Sequence, residues 1–225
     1  MLEGKTVVVS GTGPDLGREI AAAAVRDGAN VVLGARTEAN LEKAAQEIDP
    51  SGQRVAWQVT DITDAEQCRS LAQLAVDRYG HLDALVNVAA LDTIFGGVEG
   101  ADFSEWRRAL EINVVGTMQA TQAAVPYLKE QGGSIVFIGS QAMYWCQVPQ
   151  AAYAASKAAL MGAVAHLTRN LRAEEGCTVV LVEHDVGFVM RQCDRIVVLN
   201  LGAVIADGPP DQIRSDPVVG TAYLG

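Results

Sequence analysis

The sequence has little positive charge and no basic run. Its 225 residues include 17 Lys and Arg against 27 Asp and Glu, which gives a formal net charge of −10 at pH 7. Such a surface repels phosphate-rich polymers and anionic lipid, so nucleic acids and membranes are poor partners. No stretch approaches 18 consecutive apolar residues, so we expect no membrane insertion.

Cysteine and histidine are also scarce. The four cysteines, Cys68, Cys146, Cys177 and Cys193, show no CxxC spacing and lie near no pair of histidines. This pattern predicts reduced thiols and no metal site. The N-terminal residues run straight into a strand pattern and not a signal peptide, so we expect a cytoplasmic protein.

The chain does contain a regular alternation of short β-branched runs and longer amphipathic helical patterns. Five such strand–helix pairs follow one another from Lys5 to Glu174. This order predicts an α/β fold with a doubly wound parallel sheet in three α/β/α layers. Ligands in such folds bind at the carboxyl ends of the strands. The length favours one single domain over residues 1–225.

A glycine-rich turn lies between the first strand and the first helix. It reads Ser10-Gly11-Thr12-Gly13-Pro14-Asp15-Leu16-Gly17. Glycines there let the backbone approach a pyrophosphate, and the helix N-terminus supplies N–H donors. An ordinary tight turn is the alternative interpretation. Asp15 suits a helix N-cap, but at about 4 Å and an effective dielectric near 20 it repels a phosphate charge by roughly 4 kcal/mol, so it must point away.

Tyr153 and Lys157 are spaced i and i+4, which places both on one face of a helix. The pKa of a phenol is near 10, and a neighbouring ammonium lowers it by stabilising the phenolate. The pair is therefore suited to proton transfer at a carbonyl or carbinol oxygen. A plain surface pair on a helix is the alternative.

Further motifs follow in a fixed order. Asp61-Ile62 follows the third strand, Asn87-Val88-Ala89-Ala90 follows the fourth, Asn113 lies in the next helix and Ser140 closes the fifth strand. With the glycine turn, Tyr153 and Lys157, these motifs resemble the short-chain dehydrogenase/reductase family over residues 3–175. The resemblance implies a Rossmann-like fold and NAD(P)-dependent hydride transfer between nicotinamide and an alcohol or carbonyl substrate.

The resemblance also assigns catalytic roles. Tyr153 is expected to be the general acid/base, and Lys157 to lower its pKa and hold the nicotinamide ribose. Ser140 is expected to bind the substrate oxygen, and Asn113 to support a relay water. A strand-end or capping Ser140 and a helix kink at Asn113 are the structural alternatives.

The cofactor is expected at a set of residues that follow the strands. The second strand ends Leu33-Gly34-Ala35-Arg36 with no acidic residue, and Arg36 suits a 2′-phosphate. This favours NADP(H), with NAD(H) as the alternative and a solvated Arg36 as the plain interpretation. The expected cofactor contacts are Ser10, Gly11, Gly13, Leu16, Gly17, Arg36, Asp61, Ile62, Asn87, Ala89 and Lys157.

The sequence departs from that family at Asp15, Val88, Ala90 and the end of the chain. The family's Pro-Gly turn after the sixth strand is missing, and residues from Thr178 onward resemble the C-terminal end of ATP-binding subunits of branched-chain amino acid transporters. His184 matches that family's switch histidine, but the phosphate loop and the signature motif are missing. We interpret the chain as a chimera of a dehydrogenase-like portion, 1–176, and a transporter-like tail, 177–225. We expect the tail to add one or two strands to the sheet, residues 178–182 as the sixth strand and residues 195–199 as the candidate for a seventh.

Three functions stay open from the sequence. The first is an oxidoreductase whose pocket is lined by residues 91–102 and 141–150, with Met143, Tyr144 and Trp145 favouring an apolar substrate. The second is a catalytically silent nucleotide-binding chimera, and the third an interaction module that uses the tail. The family resemblance implies a homodimer or homotetramer that pairs through residues 103–129 and 151–174.

Overall fold

The apolar runs predicted as strands pair into one six-stranded parallel sheet. Its order is β3-β2-β1-β4-β5-β6, so the doubly wound α/β prediction is confirmed. The structure is a computed structural model that describes residues 1–96, 99–144 and 149–224. The strands are β1 (Thr6–Ser10), β2 (Asn30–Ala35), β3 (Val55–Val59), β4 (Ala84–Asn87), β5 (Ser134–Ile138) and β6 (Thr178–Val182).

Helices connect the strands and cover the sheet. One face is filled by a core of alternate strand residues and helix alanines, including Val7, Val9 and Ala21. β1 is buried along its whole length because strands pair on both sides of it. The helices are α1 (Leu16–Arg26), α2 (Glu38–Ile48), α3 (Ala65–Tyr79), α4 (Phe103–Leu110), α5 (Thr117–Gln131) and α6 (Ala151–Ala173).

The long helical pattern after β4 is interrupted. A wider π-type segment, Glu111–Gly116, separates α4 from α5 and contains Asn113. Such segments often mark functional sites. Asn113, for which a helix kink was the structural alternative, lies within this segment.

The chain divides into two compact units, Met1–Val182 and Glu183–Gly225, where one domain was expected. The expected first tail strand, β6, does join the sheet, with Thr178–Val182 paired parallel to β5. The expected second strand, residues 195–199, does not become a seventh strand of that sheet.

The second unit contains α7 (Val186–Gln192), β7 (Ile196–Asn200), β8 (Ala203–Gly208), α8 (Pro210–Ser215) and α9 (Pro217–Val219). β7 pairs antiparallel with β8 through a two-residue turn whose φ angles are positive, 48° at Leu201 and 82° at Gly202. This turn type matches the twist of a hairpin, so β7 finds its partner a few residues away and not in a distant sheet.

The second unit has a small core of its own, formed by Ile196, Val198, Ile213 and Val219. The Arg195 guanidinium donates to both carboxylate oxygens of Asp207 across the hairpin, at 2.8 and 2.6 Å. His184 is exposed, and its backbone N–H donates to the Glu183 carboxylate. Among the described residues, no helix has the length and apolar character needed to cross a bilayer.

Candidate active site

The strand order reverses between β1 and β4, and the glycine turn sits at that point. The Ser10 carbonyl accepts hydrogen bonds from the N–H groups of Val88 and Ala89, both at 2.8 Å. Gly11 has a φ of +99°, and a Cβ there would lie 2.2 Å from the Ala89 backbone nitrogen. Only glycine fits at position 11, because the two loops touch through their backbones.

Gly17 and Gly13 have different surroundings. A Cβ on Gly17 would lie 2.3 Å from the Gly11 carbonyl oxygen, so Gly17 lets the first turn of α1 pack against the loop. A Cβ on Gly13 would meet no protein atom within 4 Å. Leu16, at the start of α1, is 48% exposed. The structure therefore leaves open space beside Gly13, where the sequence predicts a diphosphate.

Three backbone donors of the turn are already used, since the Gly13 N–H donates to Gly11 O at 3.0 Å. The N–H groups of Gly11 and Thr12 both donate to the Gly34 carbonyl, at 2.8 and 3.0 Å, and the Thr12 hydroxyl donates to Val9 O at 3.2 Å. These two amides hold β1 against β2 in the structure. Sequence reasoning did not anticipate this use of the donors.

Asp15 occupies the N-cap position of α1 without capping it. Its side chain accepts no hydrogen bond from the helix and is exposed to solvent. Water screening reduces the repulsion expected from this carboxylate, because exposed charges interact through a high dielectric.

Asn87 ends β4 with an unpaired buried acceptor. The residue is 6% exposed, and its Nδ2 donates to the Thr121 hydroxyl at 3.3 Å. Within the described ranges its Oδ1 is buried and has no hydrogen-bond partner. An unpaired buried oxygen at the carboxyl end of a strand fits a hydroxyl donor such as a ribose. The residues present therefore fit a dinucleotide.

Ser140, Tyr153 and Lys157 meet at the carboxyl end of β5. The Ser140 side chain lies beside the Tyr153 hydroxyl, where it acts to lower the Tyr153 pKa. The Lys157 ammonium lies 5.8 Å from the centre of the Tyr153 ring and donates to Ile138 O at 2.9 Å. Lys157 is 4% exposed. The Ser140 hydroxyl also accepts a hydrogen bond from Ala142 N at 3.2 Å. Ser140 therefore caps the turn that follows it, which was the structural alternative to its catalytic role.

The pKa of Tyr153 differs from the expectation. It is raised above its usual value, mainly by burial, and the negative charge of Asp92 adds to the effect. The Ser140 side chain lowers this pKa but does not outweigh burial. The net direction is therefore set by burial, because removing the phenolate from water costs more than the neighbouring groups return.

The Asn113 side chain is fully engaged. Its Oδ1 accepts from Leu91 N at 2.6 Å, and its Nδ2 donates to Leu91 O at 3.0 Å and to the Ser156 hydroxyl at 2.8 Å. Ser156, which is fully buried, donates in turn to the Tyr153 carbonyl at 2.7 Å. These bonds connect the loop after β4, the π-type segment and the first turns of α6. Ser156 was not among the predicted site residues.

An open cleft of about 400 Å³ lies beyond the ends of β2 and β3. Its first wall contains Arg36, Asp61 and Thr63. Its second wall comes from α4 and the π-type segment, with Arg107, Arg108, Glu111 and Ile112.

Asp61 is held in place by Thr63, whose N–H and hydroxyl donate to Oδ1 at 2.9 and 2.8 Å. Ile62, predicted beside Asp61, is 6% exposed and packs with Cys68 and Ala120. Arg36 and Asp61 thus line the same cleft, whereas the Ile62 side chain is part of the core. The residues of the second wall were missed, since nothing in their spacing marks them.

The remaining titratable groups do not form a metal centre. Among residues 1–96, 99–144 and 149–224, no group of three or more His, Cys, Asp and Glu side chains is placed to hold a metal ion. Cys68, Cys177 and Cys193 are free thiols, and Cys146 lies outside the described residues. Burial raises the pKa of the Cys68 thiol to about 11, so this thiol is unreactive at neutral pH.

Comparison with known proteins gives two family matches. Residues 5–186 match the short chain dehydrogenase family, and residues 203–225 match the branched-chain amino acid ATP-binding cassette transporter family. Dehydrogenase/reductase SDR family member 4 of Sus scrofa is 33% identical over 174 residues, covering 77% of this chain and 61% of the relative. Trans-4-hydroxycyclohexanecarboxylate dehydrogenase of Sinomonas cyclohexanicum is 38% identical over 164 residues, covering 70% and 63%.

Solved structures agree with this match. A short-chain dehydrogenase/reductase from Serratia marcescens BCRC 10948 is 31% identical, with a TM-score of 0.73 over 81% of this chain and 74% of that one. A short-chain dehydrogenase/reductase from Caenorhabditis elegans, solved with its cofactor, is 26% identical with a TM-score of 0.73, over 81% and 69%. The chain spans about three-fifths of the length of the curated relatives named above. The glycine turn, the Ser140–Tyr153–Lys157 group and the match over residues 5–186 together place this chain in the short chain dehydrogenase family of oxidoreductases.

Proposed function

We propose that this chain is an NAD(P)-dependent oxidoreductase that interconverts an alcohol and a carbonyl compound. The observation that carries the proposal is the grouping of Ser140 beside the Tyr153 hydroxyl with the Lys157 ammonium 5.8 Å from the centre of the ring. When bound, the nicotinamide supplies or accepts the hydride. The protein's own task is to hold the substrate oxygen and to move one proton.

Tyr153 is the proton donor in this mechanism. Because burial raises its pKa, the phenol keeps its proton at neutral pH and is poised to donate it to a carbonyl oxygen. The Ser140 hydroxyl holds the same oxygen by a hydrogen bond. These features support carbonyl reduction as the favoured direction near pH 7.

Asn113 has a positioning role in this mechanism. Its amide is bonded to Leu91 and Ser156, so the side chain is committed to holding the loop after β4 against α6. We assign it this positioning role in place of the relay-water role that the resemblance implies.

The cofactor residues proposed are Gly11 and Gly13 in the turn, Asn87 at the end of β4, and Arg36 and Asp61 in the cleft. The exposed Arg36 and the lack of an acidic residue at the end of β2 favour NADP(H) over NAD(H). Ser10, Leu16, Gly17 and Ala89 shape the turn and Lys157 holds the nicotinamide ribose in this proposal, while Ile62 contributes from the core.

The substrate proposed is a small apolar alcohol or carbonyl compound. Phe95, 62% exposed, and Tyr144, 48% exposed, lie within the segments expected to line the pocket. Two relatives are named for cyclic alcohols: the cyclohexanecarboxylate enzyme and 11-beta-hydroxysteroid dehydrogenase A of Sesamum indicum. Of the expected lining, Gly97, Val98 and residues 145–148 lie outside the described residues.

We also propose that the protein forms a homodimer or homotetramer through α4, α5 and α6. A cytoplasmic location is likewise part of this proposal. So is a fusion origin for the end of the chain, which is supported by the transporter match over residues 203–225 and by the separate unit that begins at Glu183; the dehydrogenase match runs to residue 186, so the junction is placed beyond that residue and not at residue 177.

Tyr153→Phe tests the proposal, with NADPH oxidation measured against a panel of cyclic ketones. Removing the proton donor should lower turnover by about 10² or more while NADPH binding, followed by fluorescence, stays unchanged. The substituted phenylalanine keeps the ring and its packing, so lost binding would point to misfolding. Unaltered turnover in this variant contradicts the assignment of Tyr153.

A catalytically silent nucleotide-binding protein is the second candidate. The observation in its favour is that the Gly11 and Thr12 N–H groups are both used by Gly34 O, which leaves the turn fewer donors for a diphosphate. Saturable NADPH binding without turnover of any ketone in the panel is the result this candidate predicts.

A further inference from the structure

The α4 arginines face the same cleft as Arg36. Arg107 and Arg108 line the cleft together with Arg36, and Glu111 and Ile112 line it one turn further along the chain. Residues spaced i and i+4 share a helix face, so Arg107 aligns with Glu111 and Arg108 with Ile112. The cleft therefore has a cationic wall from β2 and a second one from α4.

The charges of the cleft leave an excess of one positive charge. Three guanidinium groups face two carboxylates, those of Asp61 and Glu111. The Asp61 Oδ1 already accepts two hydrogen bonds from Thr63. Arg108 lies 3.6 Å from Glu105, a long ion pair, and Arg107 donates to Phe103 O at 3.4 Å. Both arginines keep further N–H groups for a ligand, because each guanidinium has five.

The size of the cleft suits half of a dinucleotide. A volume of about 400 Å³ is within the range of small-molecule sites. Ile112 offers an apolar surface for a purine, and a phosphate monoester carries nearly two negative charges, which one exposed arginine does not balance. Two guanidinium groups from α4 supply the remaining positive charge.

We propose that Arg107 and Arg108 of α4 act with Arg36 as specificity-determining residues for a 2′-phosphorylated adenosine. The proposal rests on the proposed cofactor and extends it to a helix that sequence reasoning did not connect with cofactor choice. Both side chains are exposed, so their effect is expected to be moderate and to weaken with added salt.

Calorimetric titrations of the full chain at low ionic strength test this. The ligands are NADPH, NADH, adenosine 2′,5′-bisphosphate and adenosine 5′-monophosphate. The variants are Arg107→Gln, Arg108→Gln, their double variant and Arg36→Gln. The matched control is Arg69→Gln combined with Arg191→Gln, which removes the same charge outside the cleft. Arg69 pairs with Glu66 at i and i+3, as Arg108 does with Glu105.

Each α4 substitution should weaken NADPH and the bisphosphate about three-fold, and the double variant about ten-fold, since exposed charge pairs contribute modestly. NADH and the monophosphate should bind as before. The inference is overturned if the double variant matches the Arg69/Arg191 control, or if NADPH and NADH weaken equally.

This experiment distinguishes a failure of the α4 inference from a failure of the NADP(H) proposal. If Arg36→Gln weakens NADPH selectively and the α4 double variant does not, the NADP(H) proposal stands and the α4 inference fails. If the unaltered chain shows no preference for NADPH, or binds neither dinucleotide, the NADP(H) proposal and the α4 inference fail together.

Discussion

Replacing Ser156 with alanine should destabilise the unit Met1–Val182 by about 2 kcal/mol. Ser156 is fully buried and accepts a hydrogen bond from Asn113 Nδ2 at 2.8 Å. Asn113 is itself 1% exposed, so without the serine hydroxyl one of its N–H bonds has no partner and no route to water. An unpaired buried donor costs about 1–3 kcal/mol, and that cost sets the magnitude.

Urea unfolding followed by tryptophan fluorescence measures this change. Trp57, Trp106 and Trp145 are the three tryptophans of the sequence, and all lie before residue 183, so the signal reports the first unit alone. With a slope of about 2 kcal/mol/M, the midpoint should fall by roughly 1 M.

Thr168→Ala is the matched control in the same helix. Thr168 is also buried, and its hydroxyl donates only to the Val164 carbonyl four residues earlier, at 2.8 Å, a carbonyl that the helix ladder already serves. Its removal leaves no donor stranded, so we expect a loss below about 1 kcal/mol. If Ser156→Ala shifts the midpoint no further than Thr168→Ala, the Asn113 amide is not trapped and the reasoning is refuted.

Three further predictions concern the glycine turn and Tyr153. Gly11→Ala should prevent stable folding, because a Cβ would lie 2.2 Å from Ala89 N at a φ of +99°. Gly13→Ala should fold normally and bind NADPH more weakly, because a Cβ there meets no protein atom within 4 Å. Equal melting temperatures for the two variants would contradict this difference. Alcohol oxidation should still be rising at pH 10, since the raised pKa of Tyr153 keeps the phenolate, the required base, scarce below that pH; a plateau near pH 7 in a pH–rate profile would contradict it. Asp15→Asn should tighten NADPH binding by less than about five-fold because the carboxylate is exposed, and a hundred-fold gain in the titration would show that it faces the diphosphate.

The fold of the first unit could be predicted because its strands carry their own signal. β1 is a run of buried β-branched residues, and β2, β4 and β5 read in a similar way, as central strands of a parallel sheet must. The helical pattern over residues 103–129 did not predict the π-type segment at Glu111–Gly116. Asn113 in that segment is hydrogen-bonded to Leu91 and Ser156. Those partners are far apart in sequence, and periodicity does not detect them.

The partner of β7 escaped prediction for a related reason. The apolar run of residues 195–199 correctly indicates a strand but does not say what the strand pairs with. The turn at Leu201 and Gly202 determines which strand β7 pairs with. Leucine rarely adopts a positive φ, so the sequence did not indicate this turn. A short hairpin closes at a smaller entropic cost than pairing with a distant strand, so the local partner prevails.

The residues of the proposed catalytic group could be predicted as a set, but the direction of the Tyr153 pKa shift could not. Order and spacing brought Ser140, Tyr153 and Lys157 together, while the direction of the Tyr153 pKa shift depends on burial and on Asp92, which no motif includes. Arg107 and Arg108 were missed in the same way. Two neighbouring arginines on a short helix are ordinary surface residues until the fold brings them to the cleft that Arg36 also lines.

The position of the unit boundary bears on which part of the chain performs the chemistry. Every residue assigned here to the cofactor, the proton or the positioning of Tyr153 lies within Met1–Val182, and the sheet that aligns them is complete at β6. β6 begins two residues beyond the predicted junction, yet it pairs with β5 over five residues. A parallel edge strand needs apolar residues and free backbone groups, and β6 supplies both within the residues that match the short chain dehydrogenase family. The sheet that positions the proposed catalytic group is therefore complete within that match, and the transporter match begins only at residue 203.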